Sequence, residues 1–352
     1  MEKQTVSSLF SLLFAFLLPF AFTGVQGIKE LYGVYNGTAK LFVFGDSYAD
    51  TGNSPVSWAG SWKQPYGVTF PGKPAGRFSD GRVLTDYIAL FLRIRSPIPY
   101  KWRKYVNKSK LRYGMNFAYG GTGVFNTLID QPNMTLQIDF FKKLIQQKVY
   151  TKQDLDSSIA FLSVAGNDYY TSNGKIRNQT EMPDFTKSVV NQISINLKRI
   201  YDLGVKKIAV TGLQALGCLP GQTLASSFQQ CSETPNLVSK FHNQLLVQEV
   251  QKLNLEKKTL AFFILDIYSA FTSAINNLKN HTGQSKSVNP LQPCCVGTSV
   301  EFSCGSVNEK GEKKYSVCKN PEESIFWDMG HPSQNGWHSV YLNLHSSLHQ
   351  FY

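Results

Sequence analysis

Five short apolar runs recur along this 352-residue chain, at 41–44, around 115–118, at 159–164, at 208–213 and at 260–265. Each is rich in β-branched or aromatic residues and does not alternate with polar ones, the pattern of strands buried on both faces. Between them lie segments with helical spacing, such as Phe185 to Leu203 and Leu237 to Leu253, where Leu237, Phe241, Leu245 and Val250 share one face. Strands alternating with helices predict an α/β fold with a parallel central sheet covered on both sides. Such sheets bind ligands beyond the carboxyl ends of their strands. Gly204 fits a helix end leading into the strand that starts near Lys206.

The first run stops at Gly45-Asp46-Ser47, with Asp50-Thr51-Gly52-Asn53 close behind. Ser47 therefore falls at a strand end, held by the scaffold with its hydroxyl open to a ligand. Two further segments fall at comparable places. One is Asn116 to Gly123, with Gly120-Gly121 at its centre; the other is Gly166-Asn167-Asp168. Glycines permit close backbone approach and a side-chain amide can donate a hydrogen bond, which are the requirements of an oxyanion hole; a plain turn would use the same residues. The glycine segment is not a dinucleotide fingerprint, because Asn126 stands where the third glycine belongs.

A serine nucleophile needs a base, and the base an orienting acid. Of the six histidines, His331 stands apart, since it closes Trp327-Asp328-Met329-Gly330-His331-Pro332 with an acid three residues earlier. At that spacing Asp328 can accept the imidazole Nδ1 proton and leave Nε2 facing a serine. Asp and His also meet in capping turns, so the pair alone is not decisive. His338 and His345 read as surface or packing residues, and His242 and His281 have no comparable neighbour.

Lys3, the apolar stretch Leu9 to Phe22 and the small residues near Val25-Gln26-Gly27 read as a secretory signal peptide over residues 1–27, leaving one domain over 28–352. No other run approaches the roughly 18 apolar residues of a membrane span. Export gives the six cysteines a meaning: disulfides are expected and a metal site is not, since no C-x-x-C pair occurs. Six cysteines allow fifteen pairings, among which Cys218 with Cys231 would close a short loop and contribute about 3 kcal/mol. The segment from 284 to 320 reads as a cystine-stapled insertion. Sequons at Asn36, Asn107, Asn133, Asn178 and Asn280 fit the same route as glycosylation sites.

The net charge is +12, and Arg93 to Arg112 holds eight Lys or Arg with no acid, interleaved with Tyr100, Trp102 and Tyr105. That stretch imitates a nucleic-acid patch. Export argues against nucleic acid, leaving a solvated loop or a surface for an anionic polysaccharide or membrane.

The G-x-S-x-G elbow of α/β-hydrolases is absent. Instead the segments around Ser47, Gly120, Asn167 and His331, in that order, resemble the SGNH hydrolase superfamily, specifically the plant secreted GDSL esterase/lipase family. Pro65-Tyr66-Gly67, Gly76-Arg77-Phe78-Ser79, Gly212-Leu213, Leu216-Gly217-Cys218, Asp266-Ile267-Tyr268-Ser269 and Phe326-Trp327-Asp328 extend the likeness over nearly the whole mature chain. The resemblance implies a three-layer, flavodoxin-like fold around a mostly parallel five-stranded sheet. It implies Ser47 as nucleophile, His331 as general base and Asp328 as its orienting acid. The implied oxyanion hole combines the Ser47 amide, the Gly120 amide and the Asn167 side chain, with Gly121 the alternative to Gly120. Tyr48 departs from the family pattern, where leucine is usual. The expected activity is that of a secreted, extracellular carboxylic ester hydrolase of the apoplast or cell wall, acting on a lipid, an acylated wall polymer or a small molecule without metal or organic cofactor. An acyltransferase using the same serine, or a non-catalytic carbohydrate-binding protein, are the alternatives.

Overall fold

The computed structural model describes residues 39–127, 129–170, 180–281 and 288–351, with the backbone alone described at Asn280 and His281. Residues 1–27, expected to be a signal peptide, the residues up to 38 and the sequons at Asn36 and Asn178 lie outside the described residues, as does the side chain of Asn280.

In chain order the main elements are β1 (Leu41–Gly45), α1 (Leu84–Phe91), β2 (Ile98–Pro99), β3 (Gly114–Asn116), α2 (Met134–Gln146), α3 (Lys152–Asp156) and β4 (Ile159–Ser163). There follow α4 (Met182–Asp202), β5 (Lys207–Thr211), α5 (Pro220–Thr223), α6 (Glu233–Lys257), β6 (Phe262–Leu265), α7 (Ile267–His281), β7 (Cys295–Gly297), β8 (Tyr315–Val317) and α8 (Gln334–Leu348). The first six strands form one sheet in the order β2-β3-β1-β4-β5-β6, with every neighbouring pair parallel. Helices α2, α4 and α6 pack in succession as one layer, and α1, α8 and α7 as the other. The fold is the expected three-layer α/β architecture.

The sheet has six strands, not the five expected. The extra one, Ile98–Pro99, pairs with Met115 and Asn116 at the sheet edge. Its two residues sit within the basic stretch and carry no periodicity. An edge also suits Pro99, which has no N–H to give a second neighbour.

Burial explains why the other strands are legible. All five residues of β1 and all five of β4 are buried, and two apolar faces demand continuous apolar sequence. Phe42 and Phe44 of β1 meet Phe141 of α2 at ring distances of 4.5 and 5.7 Å. Among the described residues no helix is long and apolar enough to cross a membrane.

Cys218 is bonded to Cys231, Cys294 to Cys318 and Cys295 to Cys304. The last two bridges staple the antiparallel hairpin β7–β8. Cys294, Cys295, Cys304, Tyr66 and Trp327 form a second small core apart from the main one.

Candidate active site

Strand β1 lies between β3 and β4, so the segments leaving β1, β3 and β4 converge where the chain reverses direction across the sheet. Gly45 ends β1 at φ +145°, and a Cβ there would lie 1.9 Å from the Ser163 carbonyl oxygen. Only glycine allows that approach. Gln137 of α2 clasps it from the side: the Gly45 amide donates to Oε1 at 2.8 Å, and Nε2 donates to the Gly45 carbonyl at 2.9 Å. The chain then turns, with the Ala49 and Asp50 amides donating to the Asp46 carbonyl. Ser47 is thus carried on a rigid strand end.

Ser47 Oγ lies 2.9 Å from His331 Nε2. On the other side of the ring, Nδ1 lies 2.9 Å from both oxygens of Asp328. The three side chains that sequence singled out are 284 positions apart at their extremes and form one hydrogen-bonded line. Asp328 is buried, which opposes its charge, but His331, Tyr66 and the Gly330 amide together hold its carboxyl below the usual range. Burial likewise pushes the His331 imidazole down; the Asp328 charge and hydrogen bond outweigh it and leave the ring more basic than usual. Phe78 stacks on the imidazole, 5.1 Å between ring centres.

The support of Asp328 was not legible in sequence. Tyr66 donates its hydroxyl to Asp328 Oδ2 at 2.6 Å across 262 positions, while the Gly330 and His331 amides donate to Oδ1 at 2.8 Å each. The cystine module braces the preceding backbone, since the Cys294 and Cys295 amides donate to the Phe326 and Trp327 carbonyls. The insertion therefore holds the acid in place. Replacing Tyr66→Phe should lower kcat about tenfold with KM within about twofold, because a donor to a charged oxygen is lost while nothing in the binding cavity changes. A rise in KM with unchanged kcat would place Tyr66 in substrate binding instead.

The two glycine amides that sequence left as alternatives differ in their hydrogen bonds. The Gly120 amide donates to Ser54 Oγ at 2.8 Å and to Asp50 Oδ2 at 3.2 Å, so it is already committed. Asp50 also receives the amides of Gly52, Asn53 and Ser54, which fixes the glycine loop to the turn that follows Ser47. The absence of a side chain at Gly120 serves packing, for a Cβ there would sit 2.3 Å from the Phe78 ring. The amides of Ser47 and of Gly121, at φ +79°, carry no hydrogen bond among the described residues. Asn167 Nδ2 uses one proton on the Thr122 carbonyl at 2.8 Å, which orients the amide and leaves its second proton available. If that proton meets the oxyanion, Asn167→Ala should cost about 100 to 1000 fold in kcat; near-normal turnover would remove the residue from the mechanism.

A cavity of about 350 Å3 opens here, with Ser47, Asn167 and His331 on its wall. A larger cleft of about 670 Å3, between α1, α8 and the loop carrying Phe70, contains none of the three, and the smaller one is the candidate site on chemistry. Tyr48, the departure from the family pattern, is buried with its hydroxyl donating to the Gly330 carbonyl at 2.9 Å. It ties the turn carrying Ser47 to the loop carrying His331. Asp46, which sequence did not single out, has its carboxyl pushed up to about 7 by burial, against the Tyr48 amide and the His331 charge. His242 is buried against the Tyr169 hydroxyl at 2.8 Å, and His338 packs on Tyr87. The sequon residue Asn107 is exposed, and Asn133 is half-buried as the N-cap of α2.

Residues 41–342 match the family described as GDSL-like Lipase/Acylhydrolase. The chain belongs to the GDSL esterase/lipase family. Among relatives, GDSL esterase/lipase At5g03610 of Arabidopsis thaliana is 55% identical over 92% of this chain and 91% of its own length. GDSL esterase/lipase At3g09930, also of Arabidopsis thaliana, is 52% identical over 88% of each. An extracellular lipase from Streptomyces rimosus, a solved structure, is 12% identical and covers 88% of this chain and 99% of its own, with a TM-score of 0.36; a likeness that low carries no argument. Membership of the GDSL family makes this chain a carboxylic ester hydrolase, and the residues at its strand ends are where that chemistry must be sought.

Proposed function

We propose that this GDSL hydrolase works through a covalent acyl-enzyme formed on Ser47. The observation that carries the reading is the unbroken line from Ser47 Oγ to His331 Nε2 and from Nδ1 to Asp328. His331 takes the hydroxyl proton as Oγ bonds to the ester carbonyl carbon, and the developing oxyanion meets the Ser47 amide, the Gly121 amide and the Asn167 side chain. The carbon–oxygen bond to the alcohol breaks and His331 returns the proton to it. Water then attacks the acyl carbon, His331 again acting as base, and the carboxylic acid leaves with the serine restored.

Secretion is part of the same reading. It rests on the leader-like N-terminus, on three disulfides, which persist in oxidising compartments, and on the sequons at Asn107 and Asn133. The exposed Arg95, Lys104, Lys108 and Arg112 with Tyr105 form a surface suited to an anionic polysaccharide or membrane, and binding there would weaken with salt. Fluorophosphonate treatment of the folded protein, followed by peptide mapping, tests the mechanism. Label on Ser47 together with hydrolysis of p-nitrophenyl acetate supports it; hydrolysis with Ser47 unlabelled overturns it.

A further inference from the structure

We infer that the basic stretch from Arg93 to Arg112 docks a carboxylated polysaccharide, a polyuronate, on a strip of aromatic rings locked to the loop that follows Ser47. The inference rests on the secreted surface described above and narrows its partner to one class. It does not depend on the chemistry at Ser47.

The cations are free to meet a ligand. Arg95, Lys104 and Lys108 are exposed, and their side chains make no hydrogen bond or ion pair among the described residues. Lys101, Arg103 and Arg112 lie over the rings of Trp102, Tyr100 and Tyr113, at 5.5, 3.6 and 4.8 Å from the ring centres, and meet no carboxylate among those residues. The hydrogen bond from Arg112, with the charges of Arg112, Arg95 and Lys110, holds the Tyr113 hydroxyl below its usual range, so both ends of the stretch share one surface. With no acid between Arg93 and Arg112, that surface attracts a polyanion, and arginine forks match carboxylate geometry.

Charge alone does not choose among polyanions; the rings do. Trp62, Trp102 and Tyr105 follow one another at 6.2 and 6.1 Å between ring centres, and Tyr105 is 79% exposed. Both indole N–H groups are spent on the loop beyond Ser47: Trp62 donates to the Ser54 carbonyl and Trp102 to the Gly52 carbonyl, each at 2.9 Å, while the Lys101 amide donates to Asn53 Oδ1 at 2.9 Å. Three bonds lock the strip to residues 52–54. Fixed rings suit the flat C–H faces of sugars, whose weakly positive hydrogens pack on the negative π face. A bilayer asks instead for apolar side chains that can enter it. Between Arg93 and Tyr113 only Tyr105 is large, apolar and exposed, since Ile94 is buried and Ile98, Val106 and Leu111 are half-buried.

The test measures binding of the full mature protein to polygalacturonate, to the same polymer fully methyl-esterified, and to phosphatidylserine vesicles. Wild type should bind polygalacturonate about tenfold tighter than either of the others, and lose about tenfold on going from low salt to about 0.5 M. Replacing three exposed cations together, Arg95→Gln/Lys104→Gln/Lys108→Gln, should weaken binding about tenfold. Tyr105→Ala should weaken it about fivefold without changing the salt dependence, because a stacking face is lost and no charge. None of these four residues lines the cavity at Ser47, so kcat/KM on p-nitrophenyl acetate should stay within about twofold in both variants. A glycan on Asn107 would stand among the cations. Binding is therefore also read for Ser109→Ala, which removes the sequon and keeps the backbone amide of residue 109 on Asn107 Oδ1; it should be at least as tight as wild type. Tighter binding to the vesicles, equal binding to the methyl ester, or unchanged binding in the folded triple variant would each overturn the inference, and with the protein exported and Ser47 labelled by fluorophosphonate the function proposed above would stand. Protein retained inside the cell would remove secretion and the partner's access together.

Discussion

Ser47→Ala is expected to abolish ester hydrolysis, with a loss in kcat on the order of 10^4 to 10^6, because among the described residues on the cavity wall no other hydroxyl is hydrogen-bonded to His331. The substitution should leave the fold alone. The Ser47 side chain makes one hydrogen bond, to His331 Nε2, so the thermal midpoint should move by no more than a few degrees. Activity on p-nitrophenyl acetate and fluorophosphonate labelling should vanish together in a protein whose circular dichroism matches wild type. Retained hydrolysis above a hundredth of wild type would falsify Ser47 as the nucleophile and redirect the search to water activated by His331.

Asp328→Asn should cost about 10^4 in kcat, for a reason visible in the donor count. Asp328 accepts from Tyr66, from two backbone amides and from His331 Nδ1. An amide at this position sets one N–H against a group that must donate. The two backbone amides fix the carbonyl end at Oδ1, so the new N–H faces Tyr66 and the imidazole. The ring can relieve the conflict by moving its proton to Nε2, where it opposes Ser47 instead of accepting its proton. The pH profile separates this from simple damage. In the wild type, Asp328 makes His331 more basic than usual; the ring must be neutral to act as base, so the acid limb of kcat/KM should lie above the ordinary imidazole value of about 6.5. Without the carboxylate that limb should shift to lower pH in whatever activity remains. The double variant Ser47→Ala/Asp328→Asn should be no slower than Ser47→Ala alone, since the residues act as a unit. A loss of less than tenfold in Asp328→Asn would show that Asp328 does not orient the base.

The Tyr66 hydroxyl and the cystine module extend this picture beyond the three hydrogen-bonded side chains of Ser47, His331 and Asp328. Residues 294–318 contribute nothing to the cavity, yet their bridges and backbone amides hold Phe326 and Trp327 immediately before Asp328. An acid on a loose loop would lose the 2.9 Å contact with His331 through small excursions, so a stapled hairpin behind it preorganises the base.

Much of this was written in the order of residues. Strands β1, β4, β5 and β6 announce themselves because a strand buried on both faces cannot tolerate polar residues. The Ser47, Asn167 and Asp328-x-x-His331 segments stand out because chemistry needs those side chains at strand ends and turns. Strand β2 escaped notice, being two residues long and held by pairing alone. Three-dimensional contact decided the rest. Gly120 and Gly121 are equivalent as letters, and only the folded loop shows Ser54 and Asp50 taking the Gly120 amide while Gly121 keeps its own. Tyr66 is one aromatic residue among many until its hydroxyl meets Asp328. The division has a physical cause: periodicity and residue type record what each segment buries, a local property, whereas hydrogen-bond commitment and cavity shape depend on which distant groups arrive at the same place.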